Sequence, residues 1–233
     1  MIVDAEGRFI SQRVQPALTR LKVDLTGGIL TIANPEGERV SIPNVPETGR
    51  GVRVVVWKDT VSAIEADHTA SDFISSYLGA TSRLVYMPDD SIREVDPVYS
   101  RAGDHVSFAD GYPILMTTTA SLENLNERLD ESIPMNRFRP NLVISGGKAW
   151  EEDNWKAITI DGVTYRCAKP SARCGVITVD QTSGLRQKEP LRALAAFRKK
   201  DSKVYFGINL IPDTLAEIGV GQSVFEHFEG IGG

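Results

Sequence analysis

Cys174 closes the run Lys169-Pro170-Ser171-Ala172-Arg173-Cys174, and a Gly-Val-Ile-Thr-Val-Asp segment that reads as a strand follows it. Arg173 and Lys169 lie close to the thiol in sequence, and Pro170 stiffens the approach. Positive neighbours lower a thiol pKa and favour the thiolate, the form that reacts and that ligates metals. Thiolate is a soft ligand and suits soft metal centres. The alternative for a lone cysteine is a small buried hydrophobe, and Cys167, seven residues earlier, is assigned that structural role. A second block, Arg137-Phe138-Arg139-Pro140-Asn141, lies upstream. Pro140 limits where the preceding guanidinium can point. If the segment is extended, alternation places Arg137 and Arg139 on one face. A planar guanidinium pairs bidentately with phosphate or with the edge of a heterocycle. A third block, Trp150-Glu151-Glu152-Asp153-Asn154-Trp155, carries adjacent acids. Acid pairs beside a cleft can transfer protons, but a structural role is favoured here, with Asp153 bonding a turn and Trp155 packing.

The elements that must position these blocks are mostly strands. Met1–Asp4 is extended, and Glu6-Gly7 turns the chain into Arg8–Arg13. Leu21–Thr26 and Gly28–Ala33 flank Gly27-Gly28 as a hairpin, and Val52–Trp57 with Val61–Glu65 forms another pair around Lys58-Asp59. Ala70–Leu78 reads as a helix ended by Gly79. Asp89–Val106 is charged and irregular. Ala120–Ser132 is the clearest helix, with Leu122, Leu125, Leu129 and Ile133 on one face and Pro134 as its stop. Strands return at Leu142–Ser145, Ala157–Ile160, Val163–Cys167, Val176–Val179 and Val204–Ile208. Pro190–Phe197 is a short helix opened by proline. A last strand pair, Leu215–Ile218 and Ser223–Phe225, surrounds Gly219-Val220-Gly221. The predicted class is α+β, mainly β: an N-terminal β-barrel-like region over residues 1–88 and a second β-barrel domain with a few helices over 89–233.

Composition removes several function classes. The chain has 233 residues and a formal net charge of −5, which weighs against general nucleic-acid binding. No apolar run is long enough to cross a membrane. Two cysteines are too few for a disulfide framework or for a four-thiolate iron–sulfur cluster, and no leader opens the sequence. The expected location is the cytoplasm. His68, His105 and His227 make no metal-ligand spacing. Walker, dinucleotide-fingerprint and Gly-x-Ser-x-Gly motifs are absent from the sequence.

In their order, Phe-Arg-Pro-Asn, the Ser-Gly strand with its Trp-Glu-Glu-Asp block, and Ala-Arg-Cys resemble the MOSC domain family. The resemblance extends to the bacterial MOSC proteins and the amidoxime-reducing components. It implies a molybdenum–molybdopterin cofactor with Cys174 as metal ligand and catalytic position. It places cofactor contacts at Arg139, Ala172 and Arg173, and at Asn209, two places after Phe206-Gly207. The loop Phe108-Ala109-Asp110-Gly111-Tyr112-Pro113 is similar to the family's loop before its long helix, which adds Gly111 and Tyr112 through their backbone. Arg137 is not carried over, and Asp110 reads as a turn former.

The implied activity is reduction of N-hydroxylated small molecules. Electrons would come from a separate ferredoxin or flavoprotein, because no flavin or iron–sulfur motif is visible. The alternative is a non-catalytic carrier of the cofactor or a sulfur-delivery module. No pyridoxal phosphate site is expected, since the sulfurases of this superfamily carry it on another domain. The segment Val3–Arg13 resembles a region that earlier strands precede in the family. The expectation is therefore an incomplete N-terminal barrel and a cofactor held weakly, without the family's phosphate-binding lysine, serine and arginine.

Overall fold

The computed structural model describes residues 1–228. The chain divides into two compact units. One is Met1–Arg93 with Val179–Arg186; the other is Glu94–Thr178 with the chain from Gln187 onward. The sequence places its boundary five residues earlier, at 88/89, and does not anticipate the return of Val179–Arg186 to the first unit.

The first unit contains β1 (Ile2–Val3), β2 (Lys22–Thr26), β3 (Ile29–Ala33), β4 (Arg39–Pro43), β5 (Gly51–Val56), β6 (Asp59–Glu65), α1 (His68–Leu78) and β7 (Arg83–Tyr86). Its two antiparallel sheets run β1-β7-β6-β5 and β2-β3-β4. Single bridges join Phe9 to Val3 and Arg8 to Val55, so the strand after the Gly7 turn spans β1 and β5. Gly27 and Gly28 both have left-handed φ, +57° and +78°, which suits the twist of a two-residue hairpin between β2 and β3. The β5–β6 turn falls at Trp57-Lys58, one residue before the expected Lys58-Asp59, with Trp57 at φ +57°. The Asp67 carboxylate caps α1 by accepting from the Thr69 amide, and Gly79 ends it in the left-handed region. The helix buries Ala70 and Ile74 against Ile32, Ile42 and Leu84.

The second unit contains β8 (Ile114–Thr118), α2 (Thr119–Asn126), β9 (Leu142–Ile144), β10 (Trp155–Ile160), β11 (Val163–Arg173), α3 (Leu191–Phe197), β12 (Lys199–Lys200), β13 (Lys203–Pro212) and β14 (Val224–Phe228). Its sheet runs β14-β10-β11-β13-β8-β9, with β12 paired to β13. Among the described strand pairs of this sheet only β8 and β9 are parallel. Even-numbered residues of β13 point inward and serve two cores. Ile208 and Leu210 join Met116, Ile158 and Tyr165; Val204 and Phe206 join Leu125, Phe138, Ile177 and Leu194. The β-rich architecture expected from the sequence is the one observed.

Four local expectations are corrected. Helix α2 ends at Asn126, not Ser132. Both polar atoms of the Asn126 side chain bond the backbone of Ile133, at 3.0 and 3.1 Å, closing a loop where the helix would have continued. The apolar series survives without the helix, because Leu125 and Ile133 are buried in the same core. Val176–Val179 is no strand: Gly175–Thr178 is a 3-10 turn that drops Ile177 into the core. Leu215–Ile218 forms no strand, and Val224–Phe228 pairs with β10 instead. Arg137 sits in a 3-10 turn, Met135–Arg137, rather than in an extended segment, so it does not share a face with Arg139.

Candidate functional site

All the candidate residues lie in the second unit. β11 delivers Ala172 and Arg173, and Cys174 follows its end. The Arg173 guanidinium donates to the Ser171 hydroxyl at 2.9 Å and to the Phe138 backbone oxygen at 2.8 Å. Its Nε is buried without a hydrogen-bond partner. Phe138 stacks on Phe206, with ring centroids 3.7 Å apart, so this carbonyl is fixed by the core. Arg139 comes next, in the left-handed region at φ +55°. Two residues on, Asn141 is tied to β8 by reciprocal 2.9 Å bonds, its amide to the Leu115 oxygen and its side-chain oxygen to the Leu115 amide. The turn carrying Arg139 is thus pinned on both sides. Arg139 remains solvent-accessible.

The electrostatics tie these groups together. Desolvation holds the Arg173 pKa below the usual guanidinium value; the Cys174 and Asp110 charges oppose that shift, and the Arg139 charge adds to it. Desolvation also lowers Arg139, and Asp110 again opposes it. Arg173 therefore shares its neighbourhood with Arg139, the exposed Cys174 and Asp110. Such a cluster favours an anion that takes up the positive charge. Asp110, read from sequence as a turn former, is the member that sequence reasoning set aside.

The two cysteines differ as expected. Cys174 is exposed and free. Cys167 packs against the core of Met116, Ile158 and Ile208, and burial pushes its thiol up to about 12. Of the two thiols, Cys174 is the one open to a metal or a reagent. Among the described residues no three His, Cys, Asp or Glu side chains gather as a metal site.

The remaining candidates sit beside the adjoining strands. Two compensating bulges, at Ala168 on β11 and at Phe206-Gly207 on β13, bracket the pairs Lys169–Asn209 and Pro170–Ile208. Bulges re-aim side chains at a sheet face. Gly207 has φ +78°, and a Cβ there would meet the Met116 backbone oxygen at 2.5 Å, which accounts for glycine after Phe206. Asn209 lies between Lys169 on β11 and Leu115 on β8, and its side chain makes no hydrogen bond among the described residues. Tyr112 is buried with Val95, Val106 and Ile211, its hydroxyl unpartnered and pushed up to about 12 by desolvation. Open space surrounds Gly111. The Lys169 ammonium rests 4.9 Å from the Tyr112 ring and 4.6 Å from the Tyr99 ring. Ala172 is exposed opposite Tyr205. Arg139, Arg173 and Cys174 thus form one electrostatic group, while Asn209, Tyr112 and Ala172 are linked through Lys169 and its strand. Lys169 is the member that sequence reasoning used only as a neighbour of the thiol.

The acidic block is structural. Glu152 is 1% exposed and accepts from the Ser121 hydroxyl at 2.6 Å; that oxygen in turn accepts from the Trp150 amide at 2.7 Å. Asp153 forms a two-point ion pair with Arg198 at 2.7 and 2.8 Å. Trp155 is buried in the core. Arg137 is a strut, donating to the Ile177 carbonyl and to the Gln187 side chain.

These residues fit an anionic heterocycle carrying a soft metal. An unpartnered Arg173 Nε, a free Asn209 amide and a clustered guanidinium pair supply donors, and the open thiol supplies a ligand. The MOSC N-terminal beta barrel domain matches residues 1–81, and the MOSC domain matches residues 103–225, more than half of the chain. Relatives include mitochondrial amidoxime-reducing component 1 of Mus musculus, 30% identical over 86% of this chain and 61% of that protein. The Xenopus laevis protein of the same name is 28% identical over 88% and 62%, and the Homo sapiens one 28% over 97% and 71%. The chain spans less than two thirds of the length of the Mus musculus and Xenopus laevis relatives. No helix among the described residues is long and apolar enough to cross a membrane. By sequence match over both regions, and with a β-rich fold carrying the Phe-Arg-Pro and Arg-Cys elements on adjoining structure, the chain belongs to the MOSC domain family.

Proposed function

We propose that this chain binds a molybdenum–molybdopterin cofactor and reduces N-hydroxylated small molecules with electrons from a separate redox protein. The observation that carries the reading is the exposed Cys174 thiol beside Arg173, which in turn neighbours Arg139, with the two guanidiniums held in place by the Phe138 carbonyl and the Asn141 turn. The names of the mitochondrial relatives support the substrate class.

The cofactor, when bound, supplies two-electron chemistry at oxygen. Cys174 would hold it by its sulfur. Arg173 and Arg139 hold its anionic and polar edge, and relief of their mutual repulsion favours that binding. Asn209 offers both a donor and an acceptor to a pterin. Gly111 leaves room for close approach of the backbone. For an amidoxime the overall step consumes two electrons and two protons, breaks the N–O bond, and releases the amidine and water.

The test is direct. The protein is purified, its molybdenum and pterin are measured per chain, and reduction of benzamidoxime is followed with a chemically reduced viologen as donor. Stoichiometric metal with turnover supports the proposal. Pterin without turnover makes the chain a carrier, and absence of both removes the cofactor reading.

A further inference from the structure

A pocket of about 530 Å³ opens on the second unit beside the candidate site, and the function proposed above does not use its character. Lys169, Pro170 and Ala172 of β11 form one wall. Ala172 precedes Cys174 by two residues, roughly 7 Å at the rise of an extended strand. The pocket is therefore within one small molecule's length of the thiol. It is large enough for a drug-sized ligand.

Its charge is unusual for a chain of net charge −5. Five cations line it, Lys169, Arg198, Lys199, Lys200 and Lys203, against only two carboxylates, Asp153 and Asp201. Arg198 is already satisfied: Asp153 pairs with it at two points, and its guanidinium stacks on Trp150 at 4.5 Å. The three hairpin lysines are different. Lys199, Lys200 and Lys203 are exposed, and among the described residues none pairs with a carboxylate. Lys200 and Lys203 are also direct cross-strand partners. Like charges placed opposite each other in a hairpin are unfavourable. The turn between them, Asp201-Ser202, has φ of +48° and +65° at its two residues, the left-handed pair of a tight hairpin. Lys200 and Lys203 are thus presented side by side on a short, well-defined element, where an anion would relieve their repulsion.

The other walls are aromatic. Tyr99, Phe197 and Tyr205 line the same pocket, and Tyr99 already packs against the Lys169 ammonium. Phe197 already carries the Arg128 guanidinium over its ring at 4.4 Å, so a planar ring would stack on Tyr99 or Tyr205 while its charged substituent reached the lysines.

From this we infer that the pocket is a substrate-selecting subsite for an organic anion, an aromatic ring carrying a carboxylate or phosphate. The inference rests on the proposed function for what happens to that ligand: anionic aromatic N-hydroxylated compounds are selected over neutral ones.

The experiment uses 4-carboxybenzamidoxime and neutral benzamidoxime as probes on the full chain. Its variant is Lys199→Gln/Lys200→Gln/Lys203→Gln, which changes exposed residues outside the thiol–arginine group. Binding to cofactor-free protein is measured first by calorimetry. The anionic probe should bind about tenfold tighter than the neutral one, as expected of several modest charge contacts. That preference should vanish in the variant and at about 0.5 M salt. Equal binding of the two probes, or a preference unchanged in the variant, overturns the inference. In loaded enzyme the variant should raise KM for the carboxylated substrate about tenfold and leave kcat, and both constants for benzamidoxime, in place. Preferential binding without reduction of either probe would sink the proposed function and keep the subsite. Reduction of both probes with no charge preference would do the reverse.

Discussion

Arg173 reaches across from the end of β11 to the backbone oxygen of Phe138, 2.8 Å away, and so holds the residue immediately before Arg139. One arginine of the site positions the turn that carries the other. Because Phe138 is itself stacked on Phe206, the contact links the candidate site to the core of the second unit.

Arg173→Lys tests that link. Lysine keeps the charge but lacks the fork that serves Ser171 and Phe138 together. Hydrogen bonds from a charged donor contribute about 1.5–3 kcal/mol each, so stability should fall by roughly 2 kcal/mol in denaturant unfolding. Cofactor content should drop further than stability alone explains, because Arg139 loses its anchor. An unfolding midpoint and a metal content both equal to wild type would show the contact to be idle.

The cysteines give a paired comparison. Cys174→Ser should abolish metal retention, since a serine oxygen is a harder and less acidic ligand than a thiolate. Cys167→Ser should keep metal and lose stability, because Cys167 packs in the core with its thiol pushed up to about 12. Alkylation of the cofactor-free protein at pH 8 should label Cys174 first, as it is the exposed thiol. Equal molybdenum in wild type and Cys174→Ser would remove Cys174 as the ligand.

Gly207→Ala asks whether the bulge that aims Asn209 tolerates a side chain. The new Cβ would lie 2.5 Å from the Met116 oxygen and 2.9 Å from a Thr117 methyl, on a backbone at φ +78°. Steric and backbone strain together should cost about 3 kcal/mol. A variant as stable as wild type, with an unshifted β8–β13 pairing, would show that the sheet yields there at little cost.

How much of this was legible in the sequence depends on the range of the interactions. The Gly27-Gly28 hairpin and the Gly79 end of α1 are local, and short-range turn and capping rules found them, whereas the Asp67 cap and the helix start at His68 were not read. Helix α2 was overextended because leucine periodicity records burial, and Leu125 and Ile133 stay buried whether or not the backbone between them is helical. What ended the helix is the Asn126 side chain bonding Ile133, which periodicity does not encode. Val176–Val179 carries strand-forming residues, yet tertiary burial of Ile177 imposes a turn. At the site, residue types and motif order drew attention to Arg139, Arg173 and Cys174, while Asn209 entered only through the resemblance to the MOSC family. Lys169 and Asp110 gained weight only with the fold, since their neighbours come from distant parts of the chain.

Glu152 supplies a last test, of pH dependence. It is a buried carboxylate whose Oε2 finds no hydrogen-bond partner, while Oε1 accepts from Ser121. Desolvation is the largest influence on it and raises its pKa; the neighbouring Asp153 adds to the rise, and the Ser121 bond opposes it. The sign follows from linkage. A carboxyl group with a raised folded-state pKa favours the folded protein while it stays protonated, below the ordinary carboxylate range. That contribution is lost as pH rises through the raised value. Glutamine keeps the acceptor for Ser121 and never ionises. Glu152→Gln should therefore differ least from wild type in acid and become progressively more stable relative to it as pH rises toward 8. Thermal unfolding of both proteins between about pH 4 and pH 8 measures the difference, using the ordinary glutamate pKa near 4.3 as the lower reference. A difference constant over that range would mean that Glu152 titrates in the folded protein as it does in the unfolded chain, and a difference of opposite slope would mean that the carboxylate form is the one the Ser121–Trp150 network requires.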